Sequence, residues 1–221
     1  MFKLLIFDWD GTLMDSVMRI VACVQASAED LSLPVPAESA ARDTIGLGLD
    51  EAMARLFPES DAKEKSRVVE RYRHHYLFAN KIPTPLFDGA YEVVERLQSE
   101  GYLLAVATGK GRTGLNRVLD QSKLGQLFHT TRSVDEARSK PDPDMLLQIL
   151  DELGVDADKA LMIGDTEYDM NMANNAGVKA LGVSYGVHDK QRVLACSPLA
   201  CVDNVAEIPV WLANHAGKNN H

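Results

Sequence analysis

The sequence predicts an α/β fold: a doubly wound parallel sheet, Rossmann-like in its core, with a small inserted helical domain. Short apolar runs such as "KLLI", "LLAVAT" and "ALMIG" lack the polar alternation of half-exposed strands and read as strands buried on both faces. From residue 84 onward these runs alternate with amphipathic stretches at the spacing of βαβ units. Residues 16–83 break the alternation and are almost all helix in pattern.

In chain order, "KLLI" runs straight into "FDWDGT". After "DGTLMDS", Val17, Ile20, Val21 and Val24 recur at helical spacing, with Asp15 or Ser16 as N-cap. "LSLPVP" ends that helix. A second helical stretch, "AESAARDTIGLGLDEAMARLF", contains Gly46-Leu-Gly48, readable as a hinge-like turn near a substrate or as a plain break. Arg42 and Asp43 are candidate substrate-selecting residues beside it. A third stretch, "DAKEKSRVVERYRHHYLFA", has an apolar stripe of Val68, Val69, Tyr72 and Tyr76, with His74 and His75 expected in solvent. Pro83 and Pro85 mark a linker. The expected division is therefore a core of residues 1–15 and 84–221 and a helical unit of residues 16–83.

The core then continues with the helix "GAYEVVERLQSEG", closed by Gly101, and the strand "YLLAVAT". A helix around "TGLNRVLDQ", a short strand near "LFHTTRSV" and the helix "PDMLLQILDELG" follow. Next come the strand "KALMIGD", the helix "YDMNMANNAG" and the strand "VKALGVSYG". "ACVDN" is a last short strand before the helix "VAEIPVWLANH", and the polar tail "HAGKNNH" is expected to be frayed with its histidines solvated.

With 221 residues, 46% hydrophobic and 25% charged, the chain can bury a sizeable core. A net charge of −9 argues against nucleic acid or an anionic membrane as partner. No apolar run approaches the roughly 18 residues of a spanning helix. Met1 leads into the first strand without a signal segment. Cys23, Cys196 and Cys201 are odd in number and lack metal or redox spacing, so free thiols in a cytoplasmic protein are expected. A monomer or a homodimer fits equally.

Chemistry collects where strands end, the place where open α/β sheets bind ligands. The first strand ends in Asp8 and Asp10, which strand geometry would aim into one small space. Like charges that close repel unless a cation relieves them. "LLAVAT" ends in Thr108, followed by Gly109 and Lys110; "ALMIGD" ends in Asp165, with Asp169 four residues on; "RSKPDPD" places Lys140 in a turn before a helix. Aspartates without histidine or thiol partners make a hard oxygen site suited to Mg²⁺. A carboxylate beside such a cation can attack phosphorus, a second can move protons, and Thr108, the Gly109 amide and Lys140 can hold phosphate oxygens. As a turn lysine, Lys140 is expected to matter more for turnover than for folding. Trp9 reads as core packing. Asp169 also suits a helix N-terminus.

Taken in order, "FDWDGTLMDS", "VATGK", "KPDPDM" and "IGDTEYDM" resemble the four motifs of the haloacid dehalogenase superfamily, in particular its phosphoglycolate phosphatase-like members. The helical insertion after the first motif resembles that superfamily's cap, and the likeness covers nearly the whole chain. The resemblance implies a phosphatase acting on a small phosphorylated metabolite through an aspartyl phosphate. Asp8 would be the nucleophile and Asp10 the acid and base. Mg²⁺ would be held by Asp8, the main-chain carbonyl of Asp10 and Asp165, with Asp169 in support, and phosphate by Thr108, Gly109 and Lys140. Gly109 departs from the pattern, since many relatives carry Asn there. A phosphomutase of the β-phosphoglucomutase type is the enzymatic alternative, and a receiver-like phosphorylation switch the non-enzymatic one. Dehalogenation itself has no use for Asp10 and the metal carboxylates.

Overall fold

Apolar residues at every position of β1 (Leu4–Phe7) send alternate side chains to opposite faces, and each face is covered. The computed structural model describes residues 1–217. Six parallel strands form one sheet in the order β3-β2-β1-β4-β5-β6, with β2 Leu103–Thr108, β3 Thr130–Ser133, β4 Ala160–Gly164, β5 Lys179–Val183 and β6 Cys201–Val202. On one face Leu5, Phe7, Leu104, Val106 and Ile163 pack against α5 (Ala90–Ser99), α6 (Arg112–Ser122) and α10 (Glu207–Gly217). On the other, Leu4, Ile6, Ala105, Ala107 and Met162 meet α7 (Asp144–Leu153), α8 (Glu167–Asn175) and α9 (Lys190–Ala195). Trp9 is fully buried in the first of these clusters, as expected.

Phe7 is level with Val106 of β2 and Ile163 of β4. Asp8, Thr108 and Asp165 therefore leave the sheet at one edge. It is also the point where strand order reverses, since β1 has β2 on one side and β4 on the other, and a crevice opens there.

The insertion contains α1 (Val17–Asp30), α2 (Glu38–Asp43), α3 (Leu49–Leu56), α4 (Ala62–His74) and a π-helical turn over His75–Ala79. It has an apolar cluster of its own, with Val21, Val24, Met53, Val68 and Tyr76 among its members. The two segments joining it to the sheet run side by side: Met14 bridges Leu86, and the Asp15 and Phe87 amides donate to Pro85 and Leu13 carbonyls.

Several local expectations need correction. The second helical stretch is two helices, because Gly46 takes a φ of 102°, which a right-handed helix cannot hold. Ser16 occupies the N-cap position of α1 but does not cap it; its hydroxyl is spent on Asp10. Helix α9 had no reading in the sequence, being six residues long, too short for its period to show; Asp189 caps it by accepting from the Arg192 amide. His75 is not solvated but half-buried, with Nε2 2.9 Å from Asp30, whereas His74 is exposed. His215 is not loose either, being stacked against Phe2 and Trp211; His221 lies outside the described residues.

Candidate active site

The end of β1 delivers Asp8 between Asp165, just past β4, and Asp169 in the first turn of α8. One oxygen from each of these three buried carboxylates lies within 4.8 Å of the others. Lys140 Nζ reaches in from the turn before α7, 2.7 Å from Asp8 Oδ1 and 2.6 Å from Asp169 Oδ1. Asp165 is held by Thr12 Oγ1 at 2.7 Å and by the Val187 amide at 2.8 Å. Gly11 and Gly186 press so closely on it that a Cβ at either position would collide with its carboxylate. Asp169 divides its oxygens: Oδ1 takes Lys140, while Oδ2 accepts from the Thr166 amide and hydroxyl in a capping box. The expected helix N-terminal role is thus seen beside the contact with Lys140. Neither Asp8 oxygen receives a directed hydrogen bond among the described residues; its contact with Lys140 is an ion pair.

Three carboxylates against one ammonium leave excess negative charge in a dry place. Burial pushes the Asp8 carboxyl well above the ordinary carboxylate range; Lys140 opposes the rise, and Asp169 and Asp165 add to it. Asp165 is raised to about 7, chiefly by burial and then by Asp169, against the hydrogen bonds from Thr12 and Val187. Burial alone would lower Lys140, but Asp169 and Asp8 outweigh it and hold the ammonium charged. An all-oxygen cluster with an undirected carboxylate at its centre fits a hard divalent cation.

Asp10 does not join this cluster, although strand geometry led us to expect it beside Asp8. The strand ends at Phe7 and the chain turns, so the Asp10 side chain departs from strict alternation. Its carboxylate accepts from Ser16 Oγ at 2.6 Å and lies 3.0 Å from Lys110 Nζ. The sequence by itself assigns Lys110 no role. The only sequence signal it offered was its place two residues after Thr108.

Above the strand ends lies a cavity of about 680 Å³, with Asp8, Asp10, Thr108, Gly109 and Lys110 below and Ile20, Val24, Met53, Tyr72 and Tyr76 of the insertion above. Thr108 is buried, and its hydroxyl accepts from the Lys110 amide at 3.2 Å. The departure at Gly109 now has a cause. The segment between α2 and α3 lies directly over it, and a Cβ there would collide with the Gly46 and Leu47 carbonyl oxygens. That segment also donates from the Gly48 amide to Ser139 Oγ at 2.8 Å, so it is both the helix break and a contact with the rim of the site. Arg42 and Asp43 do not line the cavity; Asp43 instead pairs with Arg192 at the outer seam between insertion and core.

Residues 5–183 match the family model of the haloacid dehalogenase-like hydrolases. The chain belongs to that family and is an enzyme, a hydrolase. It is 34% identical over 213 residues to a protein of Dickeya dadantii (strain 3937) named probable phosphatase IndB, covering 94% of this chain and 92% of that one. It is 28% identical to a phosphoglycolate phosphatase of Vibrio parahaemolyticus, over 93% of this chain and 94% of the relative. In fold it superposes with a TM-score of 0.87 on the crystal structure of a protein from Haemophilus somnus 129pt described as a predicted phosphoglycolate phosphatase. That match is 24% identical and covers 96% of this chain and 98% of the other. No described helix is long and apolar enough to cross a membrane, and the three cysteines are free.

Proposed function

We propose that this hydrolase is a Mg²⁺-dependent phosphatase acting on a small phosphorylated metabolite, a phosphomonoester of the phosphoglycolate type, through an aspartyl phosphate on Asp8. The observation that carries this reading is the Asp8 carboxylate: buried, without a directed hydrogen bond, and facing Lys140 at the floor of a large cavity. Asp8 Oδ attacks phosphorus as the bond to the leaving oxygen breaks, and Asp10 gives that oxygen a proton. Asp10 then takes a proton from water, whose oxygen attacks the acyl phosphate, freeing inorganic phosphate and restoring Asp8. The Thr108 hydroxyl, the Gly109 amide and Lys140 hold the non-bridging oxygens and offset their charge. Asp8, Asp165 and the Asp10 main-chain carbonyl would hold Mg²⁺, with Asp169 steadying the group through Lys140. When bound, the cation keeps Asp8 ionised as a nucleophile and offsets charge on the phosphoryl group.

In this reading residues 16–83 are a cap that closes over residues 1–15 and 84–221, excluding water as phosphoryl transfer begins. Free thiols agree with a cytoplasmic enzyme. Steady release of phosphate from p-nitrophenyl phosphate with Mg²⁺, abolished by EDTA and independent of any sugar bisphosphate, is the expected result. Full activity in metal-free protein would overturn the metal's part. A requirement for a sugar bisphosphate would turn the reading to a phosphomutase, and phosphorylation without turnover to a switch.

A further inference from the structure

We propose that Lys110 is a positioning residue for Asp10, locked in place by Tyr76 of the helical insertion. The inference rests on the acid and base role given to Asp10 above. Lys110 is a buried cation, its side chain 7% exposed, and a buried ammonium persists only with partners. Its Nζ is 3.0 Å from Asp10 Oδ2 and donates to the Tyr76 hydroxyl at 3.1 Å, lying 4.6 Å from the centre of the same ring. The Asp10 oxygens are thus both committed, one to Lys110 and the other to Ser16 at the entrance to the insertion. Tyr76 is itself fixed. The Arg19 guanidinium lies 5.0 Å from its ring centre and donates to the carbonyls of Tyr76, Asn80 and Ile82, tying α1 to the segment that returns to the core.

A flexible carboxylate at a cavity wall has no reason to sit where a leaving oxygen needs its proton. Here an ammonium on one oxygen and a hydroxyl on the other define its plane, and both supports are coupled to the insertion. Lys110 follows Thr108 closely enough that direct phosphate binding is the natural competing idea. Two of its three donors, however, already face Asp10 and Tyr76. A purely structural ion pair is the other competitor, and stability measurements alone would not separate it from positioning.

The test measures kcat/KM, which reports the first chemical step, across phenyl phosphates from 4-nitrophenyl to 4-methoxyphenyl. A proton donor matters most when the leaving oxygen is basic. Lys110→Met is expected to lower kcat/KM about 10- to 100-fold for the methoxy ester and about threefold or less for the nitro ester, within the usual range for general acid catalysis. Placed on Asp10→Asn, the same change should cost little more, because residues acting as a unit are not additive. Equal losses along the series, or a full further loss on Asp10→Asn, would overturn the proposal and assign Lys110 to the phosphoryl group. If Asp10→Asn itself shows no leaving-group dependence, the acid role fails and this proposal fails with it, a distinct outcome. Should Lys110→Met not fold, Tyr76→Phe carries the test: the same selective loss at smaller size supports the link, and a flat profile overturns it.

Discussion

The floor and the roof of the cavity are held together by different forces. The floor is charged and largely buried, with Asp8, Thr108 and Asp165 placed by the ends of β1, β2 and β4, which the sheet keeps level to within a residue or two. The roof is mainly apolar, with Asp50, Glu51 and Arg73 also on the cavity; it is supported by its own cluster and meets the core through one loop, one π-helical turn and a few polar contacts. A site built on strand ends has rigid geometry, because a parallel sheet buried on both faces has little room to shift. A roof with a separate core can move without disturbing the strand ends, and it reaches the floor's Asp10 through Tyr76 and Lys110. Under the proposed function, chemistry belongs to the first region and access to the second.

The comparison breaks most visibly at Asp8. Asp8→Asn should abolish turnover and leave no acid-stable label after quench and hydroxylamine trapping, since the proposed mechanism then lacks its attacking carboxylate. Asp10→Asn should be slower by about 10²–10⁴-fold, yet accumulate label on Asp8 from a substrate with a good leaving group. Label on Asp10 would reverse the two roles.

Lys140 separates structure from surface in the same floor. A turn lysine is expected to matter little for folding, but this one is fully buried between Asp8 and Asp169. Lys140→Met should therefore harm folding as well as turnover, by about 3–5 kcal/mol, because removing one partner leaves buried charge uncompensated. Chemical denaturation measures this, and an unchanged midpoint would count against the buried pair.

The pH dependence follows from Asp165. Its carboxyl rises from 3.8 unfolded to about 7 folded, so the folded state holds the extra proton between those values. Metal-free protein should therefore lose stability as pH rises from 4 to 7. Added Mg²⁺ should stabilise more at pH 7 than at pH 5, read as a larger shift in melting temperature. An equal shift at both would show that the cation does not compete with that proton.

The roof should respond alone to changes in its core. Val68→Ala, at a fully buried site of the insertion, should cost about 2 kcal/mol and quicken hydrogen exchange in α1–α4 while leaving metal affinity unchanged. The smallest effect is expected at the outer seam. Asp43→Asn weakens a half-exposed pair with Arg192 and should change stability by less than about 1 kcal/mol and turnover little. A large loss there would mean that the seam, rather than Tyr76 and the Gly48 loop, holds the roof down.

Much of this protein was legible in one dimension because its signals are local. Continuous apolar runs announce strands buried on both faces, and alternation with helices announces a parallel sheet. Aspartates at the ends of such runs must then gather at one edge. Asp8, Asp165, Asp169 and Lys140 could be named in advance for that reason, and they meet. What failed depended on where the chain turns or what lies across from it. Whether Asp10 stays beside Asp8 is decided by the bend after Phe7, which frees its carboxylate to reach Lys110. The burial of Lys140 is decided by three acids brought from distant segments. Gly109 is explained only by the carbonyl oxygens of Gly46 and Leu47, some sixty residues earlier in the chain, lying over it. By itself the sequence determined the alternating core, the inserted helices and the residue types at the strand ends, since hydrophobic periodicity and chain order suffice for these. Only the tertiary structure decided which charges pair and which loop lies over Gly109, because such contacts join segments whose sequences carry no mark of one another.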